Sequence, residues 1–318
     1  MVLKNLILGG GGLRGASYVG IIKYLDIQDL RKDITSILGS SVGSLFAILI
    51  CLGYLGVELE ELLLKEKFSL ELLCNLEPES FLDMIDKYGL DNGKNVNSFL
   101  QILCKAKFGQ KKITLGELYQ KCNIHLRILT VCLQDKCTKI LDHINHPDLD
   151  LALAGQMSMC FPVYYQPVVY KDKHYVDGDL LQDYQLHLFN SRESLFFDII
   201  DDKGNDGIAN INSMGMFITK IFQCLHLKNY KENFYKYPEF VERKIEIAVT
   251  YDHFLNFELS KSEISDIIKI GFDAIDTQYE IIKKKSKNED NENTDTKEEK
   301  NHKNTDSKEV EDIEENKI

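Results

Sequence analysis

The chain predicts an α/β layered fold built on a mainly parallel sheet. Short apolar runs with strand character alternate with segments of helical period, the pattern that covers a parallel sheet with helices. Twice a strand-like run passes through glycines straight into a helix-like one, at "LILGGGGLRGASYVG" (6–20) and at "ILGSSVGSLFAIL" (37–49).

Each element follows from its own pattern. "KNLILGG" (4–10) reads as a short buried strand opening into a glycine loop. In "GASYVGIIKYLDI" (15–27), Tyr18, Ile21, Ile22 and Leu25 fall on one helical face. "ITSILGS" (34–40) is a second strand and "VGSLFAILICLGY" (42–54) an apolar helix, with further helices over 58–68 and 95–106. "HLRILTVCL" and "TKILDH" form a strand pair, and "DLALAGQMS" (150–158) a helix. "PVVYKDKHYVDGD" (167–179) is a hairpin turning at Lys171–Lys173. "KIEIAVT" is a late strand, and 261–285 a long amphipathic helix. The stretch 216–237 mixes apolar residues with lysines; it suits an ordinary surface helix, or an interfacial one that docks on lipid.

Composition narrows the function classes. The 318 residues are 44% hydrophobic, enough for a substantial core. Net charge is −12, and 289–318 holds 12 acidic and 5 basic residues, which leaves −5 on the body. No strongly basic face follows, which argues against nucleic acid as a partner. From about residue 285 the chain cannot bury enough apolar surface to offset its entropy, so a disordered acidic tail is expected over 285–318. The apolar start is broken at once by glycines, so no signal peptide is read. Eight scattered cysteines without a CxxC pair are expected to be buried free thiols, not a zinc site. A cytoplasmic protein, peripheral at membranes at most, is the expectation.

Gly39-Ser40-Ser41-Val42-Gly43 is G-x-S-x-G between a strand and a helix. Such a turn pushes its central hydroxyl out at the end of the sheet, beside a helix N-terminus, so Ser41 is the candidate nucleophile. The loop at Gly9–Gly15 suits a phosphate, a dinucleotide or an oxyanion. Gly10, Gly12 and Gly15 match G-x-G-x-x-G, but the next strand ends in Gly39-Ser40-Ser41 with no acid for a ribose. No lysine follows the last glycine, as an NTPase phosphate loop requires. An oxyanion hole from the N–H groups of Gly10, Gly11, Gly12 and Val42 fits better, and Arg14 either joins that loop or serves as an ion-pair residue. Dinucleotide binding stays as the weaker alternative. None of the eight histidines is singled out as a base. The acidic candidate is Asp177, in "HYVDGDLLQDY", where an ordinary Asp-Gly turn is the competing reading.

Gly10-Gly11-Gly12-Leu13-Arg14-Gly15, then Gly39-Ser40-Ser41-Val42-Gly43, then Asp177-Gly178-Asp179 is a series that resembles the patatin-like phospholipase family over roughly residues 4–190. The resemblance implies a patatin-like three-layer sandwich spanning 1–284, with a motif core over 4–190 and a completion over 191–284. It also implies a Ser41–Asp177 dyad without histidine, an acyl-enzyme at Ser41, and neither metal nor cofactor. The implied substrate is a phospholipid or other acyl-ester lipid, with transient contact at a membrane surface. A catalytically silent lipid-binding relative is the alternative. Two departures stand out: Asp179 where the family has a small residue, and Asp183-Tyr184-Gln185 where it has Asn, an aromatic and Pro. The Asp179 carboxylate is expected to face solvent; turned to Asp177, it would raise the pKa of that base.

Overall fold

The computed structural model describes residues 2–65, 86–200, 231–249 and 259–285, with single positions between 217 and 229. It divides into the unit Val2–Asp276 and a second unit from Thr277 onward. Residues 261–276 of the first unit are helical, and so are 277–285 of the second. The expected acidic tail lies outside the described residues apart from its first, Lys285, as does most of the stretch 216–237, of which 231–236 are helical.

The first unit holds one eight-stranded sheet. Its path is β10 (Lys244–Ala248), β9 (Ser194–Ile200), β1 (Asn5–Leu8), β2 (Ser36–Ser40), β4 (His125–Cys132), β8 (Lys173–Asp177) and β7 (Val168–Tyr170). β5 (Cys137–Asp142) pairs β4 off this path. A separate parallel pair joins β3 (Gly89–Asp91) to β6 (Val163–Tyr165). The pairs from β10 through β4 are all parallel; those of β4 with β5 and β8, and of β7 with β8, are antiparallel. This is the mainly parallel sheet the alternation predicts.

Strand β9 is absent from the sequence reading, although it sits between β10 and β1. "SLFFDII" lies almost wholly buried. A strand covered on both faces shows no polar alternation, which removes the signal of period two.

Both faces of the sheet are covered. Ile7, Leu38, Leu129 and Phe196 cluster with Tyr184, Leu186 and Phe240. Their chain neighbours Leu6, Leu8, Ile37 and Ile128, which point the opposite way, are buried as well. That double burial is the sandwich. The helices up to residue 159 are α1 (Ser17–Ile27), α2 (Val42–Cys51), α3 (Gly56–Leu64), α4 (Lys94–Phe108), α5 (Leu115–Cys122) and α6 (Leu151–Met159). Helix α5 has a reciprocal capping box: Thr114 Oγ1 accepts Glu117 N–H at 3.2 Å, and Glu117 Oε2 accepts Thr114 N–H at 2.9 Å. Asp150 Oδ1 caps α6 by accepting Leu153 N–H at 3.0 Å. The β7–β8 hairpin turns through Lys171 and Asp172, with φ of 49° and 61°, the left-handed pair of a tight two-residue hairpin.

Strand β4 works as a ruler for the site. β5 takes Arg127 to Cys132 along one edge of β4. The other edge is shared: β2 pairs with His125 to Leu129, and β8 with Thr130 to Cys132. β2 runs parallel and β8 antiparallel, so their C-terminal ends meet head to head. Ser40 is opposite Leu129, and Asp177 opposite Thr130. Ser41 and Asp177 are thereby delivered to neighbouring places.

The cysteine expectation holds in part. Cys51, Cys104, Cys132 and Cys160 are buried free thiols, but Cys122 and Cys137 are half-buried and Cys224 is exposed. Those three lie at element ends or on a surface position, where an apolar neighbourhood in sequence does not guarantee cover. Among the described residues, no helix is long and apolar enough to cross a membrane.

Candidate active site

The G-x-S-x-G turn is as sharp as its sequence predicts. Ser41 has φ 52° and ψ −129°, a conformation costly for any residue with a side chain. It lies between the end of β2 and the start of α2. Gly43 has no space for a side chain: a Cβ there would fall on the Leu8 carbonyl oxygen and lie 2.6 Å from that of Gly9. The first turn of α2 can therefore press against the end of β1, which brings the glycine loop and the serine turn together.

Both ends of the strained Ser41 peptide are held. Ser158 Oγ, fully buried on α6, accepts Ser41 N–H at 3.1 Å. Ser44 Oγ donates to the Ser41 carbonyl at 2.6 Å. Neither Ser44 nor Ser158 was singled out from the sequence. A signal for Ser158 does exist: it lies on the same buried helical stripe as Leu151 and Ala154.

Ser41 Oγ donates to Asp177 Oδ2 at 2.7 Å. Asp177 is 1% exposed, and its other oxygen accepts Asp179 N–H at 2.8 Å. Burial pushes its carboxyl up to about 8, the Asp179 charge adds to the rise, and the two hydrogen bonds oppose it. Among the described residues no histidine bonds either Ser41 or Asp177. Gly178 permits close approach here: a Cβ would fall on the Leu129 carbonyl oxygen and within 2.9 Å of Ser40 Oγ.

The glycine loop departs from expectation at Gly10. Its N–H points to Asp179 Oδ1 at 3.3 Å, so this donor is already engaged. Gly11 and Gly12 N–H meet no acceptor among the described residues, and Val42 opens α2, where the first N–H groups have no acceptor within the helix. Gly15 packs against the Val42 side chain, and Gly39 against the backbone of Gly43 and Ser44. Arg14 Nε donates to the Gly11 carbonyl at 3.3 Å, which braces the loop from its own far end.

Asp179 is half-buried, and its carboxylate turns into the site instead of out to solvent. Its carboxylate also accepts the Tyr184 hydroxyl at 2.7 Å and Gln182 Nε2 at 3.3 Å. The reason is Tyr184, 2% exposed and rooted in the core cluster, whose buried hydroxyl needs an acceptor.

The fold and the site define an α/β sandwich that carries, at the end of its sheet, a serine on a sharp strand-to-helix turn bonded to a buried carboxylate and flanked by a glycine loop. The particular family follows from comparison with known sequences. The chain belongs to the patatin-like phospholipase family, whose sequence profile matches residues 6–189. It is 26% identical over 189 residues to "Probable lipid hydrolase 463L" of Invertebrate iridescent virus 6, covering 58% of this chain and 62% of that one. It is 22% identical over 289 residues to "Uncharacterized protein R571" of Acanthamoeba polyphaga mimivirus, covering 87% and 93%. VipD from Legionella pneumophila has a similar fold, with TM-score 0.55 and 16% identity over 89% of this chain and 67% of that one.

Proposed function

We propose that this protein is a serine-dependent lipid acyl hydrolase, phospholipase A-like, acting on glycerolipid esters. The observation that carries the reading is the 2.7 Å hydrogen bond from Ser41 Oγ to Asp177 Oδ2 on the strained turn. Family membership and the likeness to a viral relative named a probable lipid hydrolase support the substrate class.

In this mechanism Ser41 Oγ attacks the ester carbonyl carbon and its proton passes to Asp177 Oδ2. The carbonyl oxygen becomes an oxyanion, received by the N–H groups of Gly11, Gly12 and Val42 and by the positive end of α2. Collapse breaks the bond to the alcohol, which takes the proton from Asp177. Water then attacks the acyl-serine, Asp177 accepts its proton, and the second collapse returns that proton to Ser41 and frees the fatty acid. Asp177 must start ionised. With its carboxyl at about 8, about a tenth of the molecules meet that condition at pH 7. A base with such a pKa is far stronger than a free aspartate, which suits it to a serine hydroxyl.

The test is labelling by a fluorophosphonate, which requires an activated serine but no knowledge of the lipid. One adduct on Ser41 is expected, none in Ser41→Ala, and at least a hundredfold slower labelling in Asp177→Asn. Ester hydrolysis by folded Ser41→Ala overturns Ser41 as the nucleophile, and an unlabelled wild type overturns the reading in favour of a silent lipid binder.

A further inference from the structure

We propose that Asp179 is a restraining residue of this site: it takes the Gly10 donor and sets a second negative charge beside the proposed base. The inference rests on the Ser41–Asp177 reading above.

Three observations converge on it. The Gly10 N–H donates to Asp179 Oδ1, and a Cβ on Gly10 would lie 2.6 Å from Asp179 Cγ, so the carboxylate sits directly against the loop. Tyr184 and Gln182 hold it there through a hydroxyl and an amide, neither of which neutralises it. Among the described residues no cation pairs with Asp179 or with Asp177. The ionisable groups on which its charge acts include Asp177 of β8, Tyr184 of its own loop and Tyr18 of α1, and Asp198 of β9 acts on the same two tyrosines. Every one of them is an acid. A second carboxylate is therefore built beside the place where a general base has to ionise and an oxyanion has to form.

Two consequences follow, separable by chemistry. The charge of Asp179 opposes ionisation of Asp177, in line with its place among the causes that raise that carboxyl. Its oxygen removes Gly10 from the donors open to an oxyanion. Asp179→Asn keeps an oxygen for Gly10 and Tyr184 but loses the charge. Asp179→Gly loses both.

The rate of fluorophosphonate labelling at Ser41 is to be followed from pH 5.5 to 9.5 in the full chain. In wild type the acid limb is expected near 8. Both variants are expected to move it down by about one unit, so that labelling at pH 6.5 rises about tenfold. The alkaline plateau of Asp179→Gly is expected above that of Asp179→Asn, because only glycine frees the Gly10 N–H. An acid limb that stays in place or moves up in Asp179→Asn overturns the restraint by charge. Equal plateaus overturn the restraint by hydrogen bond. A folded wild type that is unlabelled at every pH overturns the dyad reading, and this inference with it. If Asp179→Gly fails to fold, the Asp179→Asn limb still decides the charge effect.

Discussion

Ser158 Oγ accepts the backbone N–H of Ser41 at 3.1 Å, from a residue 117 positions further along the chain. The bond holds a peptide whose φ of 52° no ordinary residue favours. Ser158→Ala is expected to lower kcat for ester hydrolysis about tenfold with KM changed less than twofold. In the proposed mechanism this hydroxyl acts on the backbone of Ser41 and not on the ester. Ser158→Thr keeps the hydroxyl and is expected to recover most of the rate. Steady-state kinetics on a soluble ester read both; a rise in KM alone would assign Ser158 to substrate binding instead.

Asp177 also makes stability depend on pH, and the sign is fixed by its direction of shift. Its carboxyl rises from 3.8 to about 8 on folding, through burial first and the Asp179 charge second. Between those values the folded protein keeps a proton that the unfolded chain has released. This contribution is fully present below about pH 4 and lost as pH climbs to about 8. Asp177→Asn cannot ionise, so its Tm relative to wild type is expected to rise from pH 5 to about pH 8 and to level off above it. The gain at pH 9 is expected to be several degrees. Thermal scans across that range check it, and a constant difference would contradict the buried, protonated carboxyl.

The opposite dependence is expected at Asp142, 3% exposed at the end of β5. Burial alone would raise its carboxyl. The hydrogen bonds from His125 Nε2 at 3.0 Å and from the Asn145 backbone N–H at 2.8 Å outweigh that and hold it at about 2. This stabilisation is present above about pH 4 and lost as pH falls toward 2. Asp142→Ala is expected to cost about 2–3 kcal/mol near neutrality, where charged hydrogen bonds are lost. The deficit against wild type is expected to shrink below pH 4. Urea denaturation at pH 7 and pH 3 reads the difference.

How far the sequence carried the site depends on how local each feature is. The turns at Ser41 and Asp177 were legible because a glycine-flanked serine and an Asp-Gly pair declare their own backbone geometry, while joining the two into one site came from the family resemblance. That they meet at 2.7 Å depends on β4, which receives β2 and β8 end to end along one edge. No residue near either motif encodes that junction. The direction of Asp179 was misread for the same reason, since it answers to a tyrosine rooted in the core and to a loop 169 positions away. Ser158 and β9 were missed because full burial erases polar contrast, leaving a serine among apolar neighbours and a strand without alternation.

The glycines of the serine turn carry the last prediction. Gly43 lies where α2 meets the end of β1, and an added Cβ would fall on two backbone carbonyl oxygens, those of Leu8 and Gly9. Neither can swing aside as a flexible side chain would. Gly43→Ala must push α2 and the glycine loop apart, at a cost of about 3 kcal/mol for an overpacked contact. A fall in Tm of several degrees is expected. Labelling of Ser41 is expected to drop at least tenfold even at temperatures where the variant stays folded, because the loop donors and the serine no longer share one geometry. Gly53→Ala is the control for a change of glycine far from this contact. Its Cβ meets nothing within 4 Å, though its φ of 81° strains any side chain, so it is expected to lower Tm while leaving the labelling rate of the folded protein unchanged.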